Sequence, residues 1–173
     1  IGDGNFLRAF VDWMVDVANG AGLMNGEVTV VQPLERGIAD LMKAQDQLFT
    51  VLLRGVQNGQ QVQSKRLVTC VKDTLNPYAQ WDVMLAAMQD PSVRFVVSNT
   101  TEAGIAYVEE AYVEGKCPAN FPAKVTALLL ARFRAFGGSP ESGLVFLPCE
   151  LIDTNGSKLK TFVLQFAEAW KLP

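Results

Sequence analysis

Gly2 and Gly4 open the chain in the stretch IGDGNFLRAFVDWMVD, with the spacing of the first two glycines of a dinucleotide-binding fingerprint. In that chemistry the first glycine permits a tight turn and the second lets the backbone approach a pyrophosphate. Leu7 stands where the third glycine of the pattern belongs, so the match is partial. Asn5 and Phe6 complete the turn, and the alternative reading is a plain helix start with Asn5 as N-cap. A second polar group, Asn99, Thr100, Thr101 and Glu102, follows the apolar run VRFVVS. Short polar side chains past a strand end reach a nicotinamide ribose and amide, or serve only to close a loop. Asn155, in DTNG after the last apolar run, holds a similar edge position or caps the helix that begins near Ser157.

Other chemistries are narrowed by what the chain carries. It has no histidine, the commonest general base and metal ligand. Cys70, Cys117 and Cys149 are three in number and match no zinc or redox spacing, so no metal site is expected and a reducing cytoplasm suits them. Cys149 reads as packed core, because a thiol nucleophile needs an activating base. Lys124 starts a helix, where its charge opposes the dipole; the choice is between a carboxylate partner and exposure to solvent. Net charge is −3 without any cluster of lysine or arginine, which argues against nucleic-acid and anionic-membrane partners. No run approaches the roughly 20 apolar residues of a membrane span.

These residues need elements to position them. The chain has 173 residues, 49% of them hydrophobic, enough for one domain with a sizeable core. Phe6, Phe10, Trp13, Met14 and Val17 recur at helical spacing until Gly20-Ala21-Gly22. EVTVVQP then reads as a strand buried on both faces, as in a parallel sheet. FTVLLRG and RLVTCV flank Asn58-Gly59, a strong hairpin signal, although one of them is also able to return to the main sheet. A helix with Trp81, Met84, Leu85 and Met88 on one face precedes VRFVVS. A helix over 123–136 is predicted to bury Val125, Leu128, Leu129 and Phe133, and GLVFLPCELI leads into a last helix carrying Leu159, Phe162, Val163, Phe166 and Trp170.

Strand alternating with helix predicts an α/β fold: a Rossmann-like, doubly wound, mostly parallel sheet with helices on both faces. Ligands of such sheets bind beyond the carboxyl ends of the strands, which here fall at residues 2–5, 32–33, 98–102 and 149–156. Gln32 occupies the place where many such domains put an acid for the adenosine ribose; Glu35 comes three residues late, and Arg36 is able to meet a 2′-phosphate. The helix after Gly4 requires a strand before it, and Ile1 is read as the last residue of that first strand, which is missing from the chain.

GDGNFLRAFVDW, VSNTTEAGI, FPAKVTALLLARF and LPCELIDTNG, in this order and spacing, resemble the amino-terminal domain of the mannitol dehydrogenase family. Asn5-Phe6-Leu7-Arg8-Ala9-Phe10 looks like its uronate branch, since other branches more often show histidine where Phe10 stands. The resemblance implies NAD as cofactor and a metal-independent reduction of a keto sugar acid, D-tagaturonate to D-altronate, in hexuronate catabolism. It implies NAD contacts at Gly2, Gly4, Asn5, Phe6, Gln32, Asn99, Thr100, Thr101 and Glu102, and makes Asn155 a catalytic donor to the substrate oxyanion. In the family the general acid–base is a lysine in a helical carboxy-terminal domain. Residues 1–168 are thus expected to form the NAD-binding domain and 169–173 the hinge to that absent partner domain, leaving the chain inactive alone. Two alternatives stay open: another polyol or keto-sugar oxidoreductase of the family, and a non-catalytic nucleotide-binding regulatory module.

Overall fold

Strand-forming and helix-forming runs alternate along the computed structural model, which describes residues 1–101 and 103–173. A π-helical turn, Leu7–Asp12, runs into α1 (Trp13–Gly20), followed by β1 (Val28–Val31), α2 (Ala39–Ala44), β2 (Phe49–Gln57), β3 (Gln60–Val68) and β4 (Val71–Leu75). Then come α3 (Trp81–Ala87), β5 (Phe95–Ser98), α4 (Phe121–Phe136), β6 (Val145–Pro148) and α5 (Asn155–Ala169). These elements form two compact units, one of Asp3–Gln32 and Arg36–Leu75, the other of Ile1–Gly2, Pro33–Glu35 and Asn76–Pro173.

In the first unit, β1 and β4 pair in parallel, with Thr29 beside Asp73 and Val31 beside Leu75. β2 and β3 form an antiparallel hairpin running from Phe49 beside Val68 to Gln57 beside Gln60. Asn58 and Gly59 turn it with φ of 52° and 77°, the left-handed pair that a two-residue turn matching strand twist requires. The hairpin alternative is therefore realised, while the strand that pairs with β1 is a further one, β4, which starts at the last residue of RLVTCV and was not singled out by the sequence. Asp16 makes the break between them. Its carboxylate accepts from the backbone N–H of Thr69 at 2.6 Å and of Cys70 at 3.1 Å, the two groups released from the ladder. Val30, Met42, Val51, Val68, Cys70 and Val71 form the core of this unit.

The first helix buries a different face from the predicted one. Phe6, Phe10 and Met14 are exposed, and Leu7, Asp12 and Asp16 face inward. The π-helical turn shifts the phase of the stripe, and Asp16 must point inward to reach Thr69 and Cys70.

In the second unit β5 and β6 pair in parallel, from Phe95 beside Val145 to Ser98 beside Pro148. Ile1 lies along β5 as a strand residue does: its amino group donates to Val97 O and its carbonyl accepts from Asn99 N–H. α4 starts at Phe121, two residues before the predicted boundary, because Asn120 caps Ala123 N–H and Pro122 suits a first turn. Gly137, at φ 61°, ends it in the left-handed conformation. Val125 and Leu128 are buried as predicted, but Phe133 is exposed and its neighbour Arg132 goes inside. The Arg132 guanidinium donates to the carbonyls of Ser142, Met88, Asp90 and Val93, tying α4 to two loops. Leu159 and Phe166 anchor α5, and Ile105, Phe121, Val125 and Leu159 form a core.

Candidate functional site

The glycine turn is built from three local constraints. Gly2 takes φ 137°, a conformation that side-chain-bearing residues rarely adopt. Gly4 is exposed, and a β-carbon added there meets nothing within 4 Å, so open space lies in front of its backbone. Arg8, one turn into the helix, braces the loop: Nε donates to Asp3 O at 3.1 Å and Nη2 to Asn5 Oδ1 at 2.7 Å. Asn5 therefore partners Arg8 instead of capping the helix, whose first turn has Phe6 at its N-cap and no side-chain cap. Arg8 sets a positive charge beside the turn and is a residue the spacing argument overlooked. An arginine four positions after the second glycine was its only sequence signal.

Gln32 closes the strand end in the same unit. It is only 2% exposed, and its Oε1 accepts from Ala39 N–H at 3.2 Å. Asp3 comes to the same place from the glycine loop, where Oδ2 accepts from Ile38 N–H at 3.0 Å. The expected position of Gln32 at the strand end is found, and Asp3 lies beside it.

The second unit holds the other polar strand ends together through Glu150. This residue is 3% exposed, and among the described residues no ion pair involves it. Its carboxylate accepts from Ser98 Oγ at 3.1 Å, Thr100 N–H at 2.9 Å and Thr100 Oγ1 at 3.1 Å. Asn99 donates through Nδ2 to Cys149 O at 2.9 Å, a further tie between the ends of β5 and β6. Thr101 follows at φ 75°, which is costly for a β-branched residue and is held by Gly104 N–H donating to Thr101 O. The expectation for Glu102 lies outside the described residues.

Asn155 begins α5 and folds back on the β6 end. Nδ2 donates to Pro148 O at 2.9 Å and Glu150 O at 3.0 Å, and Oδ1 accepts from Gly156 N–H at 2.7 Å. Both amide protons are thus engaged by the backbone, and donation to a substrate oxygen requires the release of one. Lys124 is not exposed to solvent, and Glu102, its expected carboxylate partner, lies outside the described residues. Lys124 is 3% exposed, with Nζ donating to Tyr78 Oη and Ala119 O, both at 2.8 Å. It staples α4 to the loop before α3.

Burial pushes the thiols of Cys70 and Cys117 up to about 11, and burial with the nearby Glu150 charge also raises Cys149. None is poised as a thiolate. Among the described residues there is no group of three or more His, Cys, Asp or Glu that could hold a metal ion, and no helix is long and apolar enough to cross a membrane.

An interrupted parallel α/β arrangement, with a glycine turn ahead of a helix and polar loops at the strand ends, defines a Rossmann domain. The chain belongs to the mannitol dehydrogenase Rossmann domain family, whose model matches residues 1–172. It is 42% identical over 173 residues to an altronate oxidoreductase of Halalkalibacterium halodurans and 44% identical to one of Yersinia enterocolitica. Each match covers 99% of this chain and 34% or 36% of the relative, so the chain spans about a third of their length. The fold is shared with substrate-free D-sorbitol dehydrogenase (TM-score 0.74, 22% identity, 97% of this chain and 37% of that one). It is shared as well with Pseudomonas fluorescens mannitol 2-dehydrogenase in a ternary complex with NAD and D-mannitol (TM-score 0.77, 21% identity, 96% and 36%).

Proposed function

We propose that this chain is the cofactor-binding part of a longer NAD-dependent oxidoreductase that reduces D-tagaturonate to D-altronate in the cytoplasm. The observation that carries the reading is identity above 40% to altronate oxidoreductases across 99% of the chain. NAD as the cofactor is supported by the family and by the NAD in the mannitol 2-dehydrogenase complex. The local structure suits it: open space before Gly4, a braced turn, and a glutamate-held threonine loop.

In this reading Gly2, Gly4, Asn5 and Phe6 form the pyrophosphate turn, and the Arg8 charge favours an anion there. Bound, NADH supplies the hydride. Asn99, held by Cys149, Thr100, held by Glu150, and Thr101, held by Gly104, orient the nicotinamide end, with Glu102 in the same segment. Asn155 supplies one N–H to the oxygen that gains charge, after that proton leaves its backbone acceptor. The proton donor is a lysine of a further helical domain, joined through a hinge at 169–173 after the cofactor domain of 1–168.

The test is NADH consumption by the full-length protein with a panel of keto-uronates and ketohexoses. D-Tagaturonate is expected to be the preferred substrate, and the 173-residue chain alone is expected to give no turnover. Preference for a neutral ketohexose contradicts the assignment.

A further inference from the structure

Asp3 offers a charge-based choice between dinucleotides. Its Oδ2 accepts from Ile38 N–H at 3.0 Å, while the adjacent Ala39 N–H is taken by Gln32 Oε1 at 3.2 Å. Gly37 lies against both acceptors: a β-carbon there comes within 2.5 Å of Asp3 Oδ2 and 2.7 Å of Gln32 Oε1. Two adjacent backbone N–H groups at this strand end are therefore occupied by the chain's own oxygens, one of them a carboxylate oxygen. The place is the carboxyl end of the strand that follows the glycine turn and its helix, where the adenosine ribose lies in this fold. Gln32 is nearly inaccessible there, whereas Asp3 is half-buried.

We propose that Asp3, and not Gln32, sets the preference for a 2′-hydroxyl over a 2′-phosphate dinucleotide; this rests on the reading that the chain binds a dinucleotide. The carboxylate accepts from a ribose hydroxyl and repels a phosphate at the same position. Arg36, exposed on the same segment, supplies the opposing attraction. Its position explains why a strong negative charge is needed to keep the phosphorylated cofactor out.

The experiment measures Kd for NADH and for NADPH by fluorescence titration of the full-length protein, in wild type, Asp3→Asn, Asp3→Ser and Asp3→Glu. The wild type is expected to favour NADH. Asp3→Asn and Asp3→Ser narrow that preference by about tenfold or more, mainly through tighter NADPH binding, and Asp3→Glu retains it. Both neutral variants keep an oxygen for the Ile38 N–H, and if one does not fold the other carries the comparison. A wild type that prefers NADPH, or an NADH to NADPH ratio unmoved in the neutral variants, overturns the role of Asp3 while leaving dinucleotide binding in place. A wild type that binds neither cofactor overturns the dinucleotide reading itself.

Discussion

Glu150 and Thr100 are joined at two points: one carboxylate oxygen of Glu150 accepts from both the backbone N–H and the hydroxyl of Thr100. The other oxygen takes the hydroxyl of Ser98, so three donors from one strand end converge on one buried acid. Glu150→Ala leaves those donors without a partner and lowers stability by roughly 3 kcal/mol, measured by urea unfolding. Glu150→Gln keeps one acceptor oxygen and loses less. If the threonine loop orients the cofactor as proposed, both variants raise the KM of the full-length protein for NADH.

Arg132 is the corresponding tie behind α4. Arg132→Met retains the apolar stem but abandons four backbone carbonyls, and a loss of roughly 4 kcal/mol is expected from chemical denaturation. A loss within about 0.5 kcal/mol of zero, the range of ordinary surface changes, contradicts the account.

Two acids of the first helix have opposite pH dependences. Burial pushes the Asp12 carboxyl up from 3.8 to about 6, and its Oδ2 has no hydrogen-bond partner. The folded state thus holds a proton that the unfolded state releases, and stability falls as pH rises from about 4 to about 6, by roughly 3 kcal/mol. Asp16 is also penalised by burial, but hydrogen bonds from Thr69 and Arg66 together hold it below its usual value. Its stabilisation is present above pH 3.8 and is lost as pH falls through its lowered folded value. Melting curves of Asp12→Asn between pH 4 and 7 are expected to be flatter than wild type, with the variant the more stable near neutrality. Parallel curves contradict this.

Asn155 separates two roles by one substitution. Asn155→Ala removes two N–H donations and one acceptor from the corner between β6 and α5, at a cost of about 1 to 2 kcal/mol. If the same side chain serves the substrate oxygen, kcat of the full-length enzyme falls about 100- to 1,000-fold with NADH affinity unchanged. A lowered melting temperature with near-normal kcat leaves only the corner.

The parts readable from sequence are those fixed by local chemistry. Asn58-Gly59 dictates its turn because both residues tolerate positive φ, and Gly137 ends α4 where the sequence placed its end, whereas the Asn120 cap and Pro122 that start it two residues early were not read. The α/β class followed from alternating periods in the same way. Asp16, Arg132 and Glu150 were not readable as buried anchors, since their partners are supplied by chain segments far away in sequence. A periodicity argument treats such charges as solvated. The inward face of the first helix was missed for a related reason: a π-helical turn and a buried aspartate together overrule the apolar stripe. Among the candidate site residues, the glycines and the threonine loop stood out by composition, whereas Arg8 and Asp3 became visible only through their contacts.

The most direct measurement is the Kd of the full-length protein for NADH, compared between wild type and Gly4→Val. Because nothing lies within 4 Å of a β-carbon at Gly4, and its φ is not in the left-handed region, the protein should accept the side chain with an unchanged melting temperature. A pyrophosphate that approaches this backbone will not, and affinity is predicted to fall by about 100-fold or more. Wild-type affinity in a normally folded Gly4→Val protein would contradict the account.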